Sequence, residues 1–422
     1  RHRVFAPLTP SQHKIFTLFL YVLTMVDSIC TRRRLLAAVG ATSVSAVAGC
    51  SSTLFGGDVE YIQDAPVGEV TGPWPTYQHD FARTGATTDP GPSSDATEST
   101  VLELFNLHPD SQVMFTGDRG ALALSPDEFG GSYTSFNINE NTRSWNVETT
   151  GSAGSVTIAG NAAFASTSRG IRVYDIRSGD LCWRANTGSP FLGNAPVFVS
   201  GKILSWDSSS VVAYDATTGE KRWTFSFEDT GPNSVGLRDG IVYIQLETGV
   251  AAVDAESGDQ VWRRSLFPGI DQRIVIGDES VYYSAEGGKL YALSTEREGE
   301  TQWKTSIPNE YGHSLAVSNN RIHVSASDSS DRGVLTTLDA ADGSTINIEK
   351  HPDGRTSPPI VADGTQFWLG DTTLYASDAD TGSPKWSLDV NATVENYSLP
   401  SVHGSNLLFA SKNGVVKISD GA

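Results

Sequence analysis

The chain has 422 residues, with 30 Lys/Arg against 49 Asp/Glu, and a formal charge of −19. An acidic surface on this scale repels the phosphates of nucleic acid and anionic lipid headgroups, which excludes a nucleic-acid-binding role. Three cysteines, none in a CxxC spacing, exclude a disulfide framework and a cysteine-based metal or redox site.

In chain order, residues 1–24 carry part of an apolar run, IFTLFLYVLTMV, about a dozen long where a spanning helix needs about 20. Met25 opens a well-formed export signal, so translation is expected to start there and 1–24 to be an upstream extension. Residues 25–50 hold that signal. Arg32 and Arg33 precede the small, apolar run LLAAVGATSVSAVAG, the layout of a twin-arginine export signal. Val47-Ala48-Gly49-Cys50 resembles a lipoprotein cleavage box, which makes Cys50 the lipidated first residue. Residues 51–71 are then a tether, and the protein sits on the outer face of the cytoplasmic membrane, held by its lipid. Residues 1–49 contain six Lys/Arg and one Asp, leaving 24 basic and 48 acidic residues, a net −24. That balance suits a high-salt organism, a haloarchaeon.

Residues 72–100 lead into the repeats. WPTYQHDFARTG, Trp74 to Gly85, precedes a stretch rich in Pro, Ser and Asp. His79, Asp80 and Arg83 invite a catalytic reading, but no nucleophile stands at a telling spacing. The stronger reading packs Trp74, Tyr77 and Phe81 on the first or last repeat and pairs Arg83 locally.

From residue 101 to 422 one unit recurs. Asp175, Gly179 and Trp183 share their spacing with Asp215, Gly219 and Trp223, with Asp254, Gly258 and Trp262, and with Asp378, Gly382 and Trp386. Each reads as a strand of alternating faces, a turn opened by Asp and closed by Gly, and a returning strand bearing Trp. A copy ending at Trp303 has Ser294 in the Asp position. Another keeps Asp339 and Gly343 but has Asn347 in place of Trp, and Asn137, Asn141 and Trp145 form a further copy. With Phe105 as the first marker, the steps lie between 38 and 44 residues. A period near 40 with four short strands per unit predicts an all-β fold, a propeller of four-stranded antiparallel blades. The final unit lacks its Trp strand, and VLELFNL at 101–107 can supply it and close the ring. The count is eight blades, or seven if the unit 106–145 folds differently.

The repeat, with WPTYQHDFARTG ahead of it, resembles the PQQ-like β-propeller repeat proteins over about residues 72–420. That group includes quinoprotein dehydrogenases and BamB-like lipoproteins. The resemblance implies that Trp183, Trp223, Trp262, Trp303 and Trp386 pack between neighbouring blades. It leaves activity open. A dehydrogenase would imply PQQ with calcium, and the adjacent cysteines and cytochrome-type CxxCH of many such enzymes are not in this sequence. Asp378, Asp380 and Asp328 to Asp331 could offer oxygens to Ca²⁺, but Asp378 already serves the repeat turn.

The expectation is therefore a monomeric, non-enzymatic scaffold without cofactor, binding envelope proteins through its loops, such as 127–132, 227–234, 267–271, 308–313 and 351–358. Phe267, Tyr311, His313 and Arg355 are the candidate contacts. A PQQ- and calcium-dependent dehydrogenase and an extracytoplasmic ligand or glycan sensor are the alternatives. A glycan reader needs exposed aromatics, whereas Phe198, Tyr243, Tyr282 and Trp368 fall in core-strand patterns.

Overall fold

The structure is a computed structural model, and it describes residues 59–70, 76, 78–103, 112–117, 119–124, 130–186, 195–227, 231–266, 273–285, 287–307, 311–327, 332–351, 357–391, 399–411 and 414–420. All of them belong to the compact unit Gly56–Ala422. Arg32, Arg33, Cys50 and Phe105 lie outside the described residues.

Among the described residues there is no helix, and the strands form eight sheets built on four antiparallel strands each. Blade one runs over 114–150, two over 153–185, three over 197–226, four over 232–265, five over 275–306, six over 311–350 and seven over 360–389. Blade eight takes three strands from 401–420 and its fourth, outermost strand from Ala96–Glu103. The chain is an eight-bladed propeller, and the fallback of seven is set aside. The closing strand starts five residues before the 101–107 segment picked out from sequence. It pairs Ala96 with Asp420 and slips register between Thr100 and Leu102, so its alternation is broken where the pattern was being read.

The Asp–Gly–Trp unit works across two blades. Asp215 Oδ1 accepts the Thr217 and Thr218 amides at 3.1 and 2.9 Å, which forms the turn. Gly219 follows at φ 76°. A Cβ there would stand 2.7 Å from the Trp183 ring of blade two. Trp183 lies flat on that glycine, fully buried, and its Nε1 donates to Ala216 O at 3.0 Å. Trp145, Trp223 and Trp303 make the same bond to Ile176, Ala255 and Ala340 of the next blade. Trp262 packs on Gly299. Burial of each indole stabilises the seam it fills by roughly 3 kcal/mol.

Two short strands are added to the ring. Val59–Tyr61 pairs antiparallel with Leu181–Ala185 on the rim of blade two. The backbone beyond it continues over blades two and three, through Asn161 N to Pro66 O at 3.1 Å and Ala65 N to Thr217 O at 2.9 Å. Residues 59–70 are thus fastened to the ring, which corrects the reading of 51–71 as tether throughout. The pairing uses backbone groups, so no side-chain pattern announced it. The second added strand, Ala86–Thr87, runs parallel to Ile360–Ala362.

Candidate functional site

The innermost strands of the blades surround the ring's axis, and Thr76 and residues 78–91 are laid across them. Thr76 Oγ1 meets Thr157 Oγ1 of blade two at 2.9 Å. Gln78 reaches in two directions. Its N–H donates to Gln112 Oε1 at 3.0 Å, and its Nε2 donates to Leu315 O of blade six at 3.2 Å. From there the segment serves one blade after another. Phe81 O accepts Leu237 N of blade four, and Ala82 O accepts Ile276 N of blade five. Thr84 O accepts Val317 N of blade six, and Gly85 O accepts Val361 N of blade seven. On blade eight, Gly91 N donates to Gly404 O, and Gly404 N donates to Asp89 Oδ2. These bonds, 2.6–3.0 Å long, give one inner-strand amide in each of blades four to seven, and the Gly404 turn of blade eight, a partner.

The path is tight and strained. Gln78, His79 and Arg83 hold φ of 55°, 74° and 61°, which non-glycine residues seldom adopt. Asp80 stabilises the bend by accepting Thr84 N at 2.9 Å and Thr84 Oγ1 at 2.6 Å. Gly85 has no room for a side chain, since a Cβ would come within 3.2 Å of Ala316 Cβ. Arg83 is 2% exposed and its Nε donates to Val235 O of blade four at 2.7 Å. Arg83 therefore reaches across to blade four, a partner the sequence had not suggested. Phe81 packs against the core of blades three and four and not on the first or last blade. Asp80 and Arg83 are fastened to the backbone around them, which fits a structural task. Trp74 and Tyr77 lie outside the described residues.

Beside this hub a cleft of about 710 Å³ opens on the face that carries the Asp–Gly turns. One wall is His79 and 84–88; the others are the turns 277–280, 318–320 and 363–364. Arg238 projects into it and is ion-paired to Asp278. With Glu279 and Asp363 also lining the cleft, carboxylates outnumber the cation. Apart from His79 and Tyr282, the cleft residues escaped sequence reading because most of them sit in polar turns present once per blade; the only signal was the recurrence of such turns after the inner strands.

The other residues singled out from sequence are dispersed. The repeat residues Asp175, Gly179, Asp254, Gly258, Asp378 and Gly382 sit in the rim turns. Asp378 Oδ1 accepts Thr381 N at 2.9 Å and its Oδ2 lies 3.3 Å from Lys385 Nζ, so the carboxylate is engaged as a turn residue. Asp328 to Asp331, Phe267 and Arg355 lie outside the described residues, as do the side chains of Tyr311 and His313. Among the described residues, no three His, Cys, Asp or Glu side chains are grouped to hold a metal.

The profile of the family described as outer membrane protein assembly factor BamB matches residues 112–249, 246–346 and 331–422. Among solved structures, BamB from Moraxella catarrhalis superposes with a TM-score of 0.59 at 18% identity, covering 76% of this chain and 97% of that one. Quinohemoprotein alcohol dehydrogenase from Comamonas testosteroni gives 0.65 at 11% identity, over 83% and 81%. At such identities the likeness is one of fold. A serine/threonine-protein kinase, AfsK of Streptomyces griseus, is 26% identical over 160 residues, 34% of this chain; the chain spans 20% of that kinase's length.

Proposed function

The chain belongs to the PQQ-like propeller family of the assembly factor BamB, and from that membership we propose that it is a non-enzymatic scaffold binding protein partners at the cell envelope. It is exported, and a lipid on Cys50 holds it to the outer face of the cytoplasmic membrane. The observation that carries this reading is the segment laid across the inner strands. Phe81, Ala82, Thr84 and Gly85 each accept an inner-strand amide from blades four to seven, and Asp89 and Gly91 hold the Gly404 turn of blade eight, a structural task that leaves the faces for recognition.

The quinone alternative fares worse on the same residues. PQQ is a flat quinone bearing three carboxylates. Its site needs cationic donors and an aromatic platform. The cleft offers Arg238, already paired to Asp278, together with Glu279 and Asp363, and its one aromatic side chain, Tyr282, is 4% exposed. Those residues do not fit the group.

The deciding experiment titrates PQQ with Ca²⁺ into the purified protein while tryptophan fluorescence is followed, then offers alcohols and sugars with an artificial electron acceptor. We expect no saturable quenching and no dye reduction, with cross-linking in cells recovering envelope proteins. Saturable binding with dye reduction would replace this reading by a quinoprotein dehydrogenase. Cys50→Ser is expected to move the protein from the membrane to the soluble fraction; retention on membranes would refute the lipid anchor.

A further inference from the structure

Most seams of the ring are apolar. In blade four, Tyr243, Ala252 and Trp262 form one cross-strand row facing the next blade, and Tyr282, Ala292 and Trp303 do so in blade five. The strand that receives such a row presents Ile203, Val242 or Val281, all fully buried. Contiguous apolar clusters join blades seven, eight, one and two, and then two to three, three to four, four to five and five to six. Among the described residues none of these clusters joins six to seven.

At that joint both faces are polar. Blade six presents the row His323, Thr337, Asn347, where blades four, five and seven carry aromatic, alanine and tryptophan. Blade seven answers with Gln366 at the position of Val242 and Val281. His323 and Gln366 face each other, both 0% exposed. The two side chains are near enough to interact, yet neither His323 Nδ1 nor the Gln366 amide atoms are well aligned for a hydrogen bond, and Nε1 of the equally buried Trp368 has no protein partner. Farther out, Glu349 holds Ser377 Oγ at 2.9 Å and lies 3.3 Å from His351 Nε2. Buried polar groups left without partners cost stability, and a polar interior that protein atoms do not satisfy is one that water enters. His323 Nε2 lies 3.2 Å from Ser318 Oγ, and Ser318 lines the cleft, so the joint stands one side-chain contact from the cleft.

We propose that blades six and seven are joined through internal water held by His323, Gln366 and Trp368, and that this wet joint is where the ring opens. The turn 318–320 stands on blade six and the turn 363–364 on blade seven, so opening moves two walls of the cleft apart. The cleft then has an adjustable width, while its blade-five wall stays on an apolar seam.

The test is hydrogen exchange on the full chain. Strands Arg321–Ser327 and Thr365–Leu369 should exchange roughly tenfold faster than the equally buried Lys202–Trp206 and Ile241–Leu246. Equal or slower exchange overturns the opening. The fourfold variant H323Y/T337A/N347W/Q366V rebuilds the blade-five seam and should bring exchange at the joint to the common rate without altering blades two and three. Should that variant fail to fold, Gln366→Val alone must still slow the joint, and faster exchange would count against the proposal. A high-resolution crystal structure should show ordered water on the Gln366 amide; a dry joint with His323 and Gln366 bonded directly overturns the water.

Discussion

The rim and the hub of this propeller are built on opposite plans. The rim repeats one device, an indole lying on the glycine of the next blade's turn, as with Trp183 on Gly219 and Trp223 on Gly258. Because each copy joins only two neighbours, a lapse such as Asn347 is tolerated: its Nδ2 donates to Gly382 O at 2.6 Å and still ties the blades. The hub is a single segment that meets one blade after another, and no second copy can compensate. Repetition specifies the walls of a ring, and what is done at its centre rests on residues that occur once.

The rim half of this comparison is tested most severely by Trp183→Ala. The side chain is fully buried on a glycine with no room to collapse, and the loss should be about 4 kcal/mol in a urea unfolding experiment. A cost below about 1 kcal/mol would mean that the seam does not depend on its indole.

The hub half is tested by Arg83→Ala, which removes the Nε to Val235 O bond and should cost about 2 kcal/mol. Limited proteolysis sharpens the contrast. The variant should be cut within residues 78–91 before the blades are, whereas Trp183→Ala should expose blade strands. If both variants are cut in the same places, rim and hub are one cooperative unit and the distinction fails.

The smallest effect is expected at the turn. Asp215 has its carboxyl held below the usual range. Burial pushes it up, but the hydrogen bonds from Arg222 and Thr218 outweigh that. A depressed folded value means that the contribution is complete above the unfolded pKa and is lost as pH falls through the folded one. Asp215→Ala should therefore cost about 1 kcal/mol at neutral pH and flatten the acid limb of the stability curve. An unchanged acid limb would show that the turn holds without its charge.

Much of the rim was legible in the sequence because Asp, Gly and Trp each have one physical job at a fixed offset. The period near 40 therefore led to eight blades and to closure by an N-terminal strand. The register slip at Thr100 hid where that strand begins. Residues 59–70 bind through their backbone, which no side-chain alternation reports. The hub was misjudged for a different reason. Gln78, His79 and Arg83 take φ values that their residue types disfavour, so local propensity pointed away from the observed path. The cleft was invisible because its walls come from three separate turns and the hub segment, which only the closed ring brings together.

The strand Ala96–Glu103 is synthesised before all eight inner strands, and its partner Gly414–Asp420 after all the other blades. On the ribosome the first blades can form in turn, but the circle cannot be completed until synthesis is nearly over. The nascent protein therefore spends its whole translation with Ala96–Glu103 as an unsatisfied edge and must join two ends more than three hundred residues apart, the kind of distant pairing that slows folding. Loss of the 414–420 strand would leave both edges open at once, a truncation that quality control would meet as an aggregation-prone open sheet.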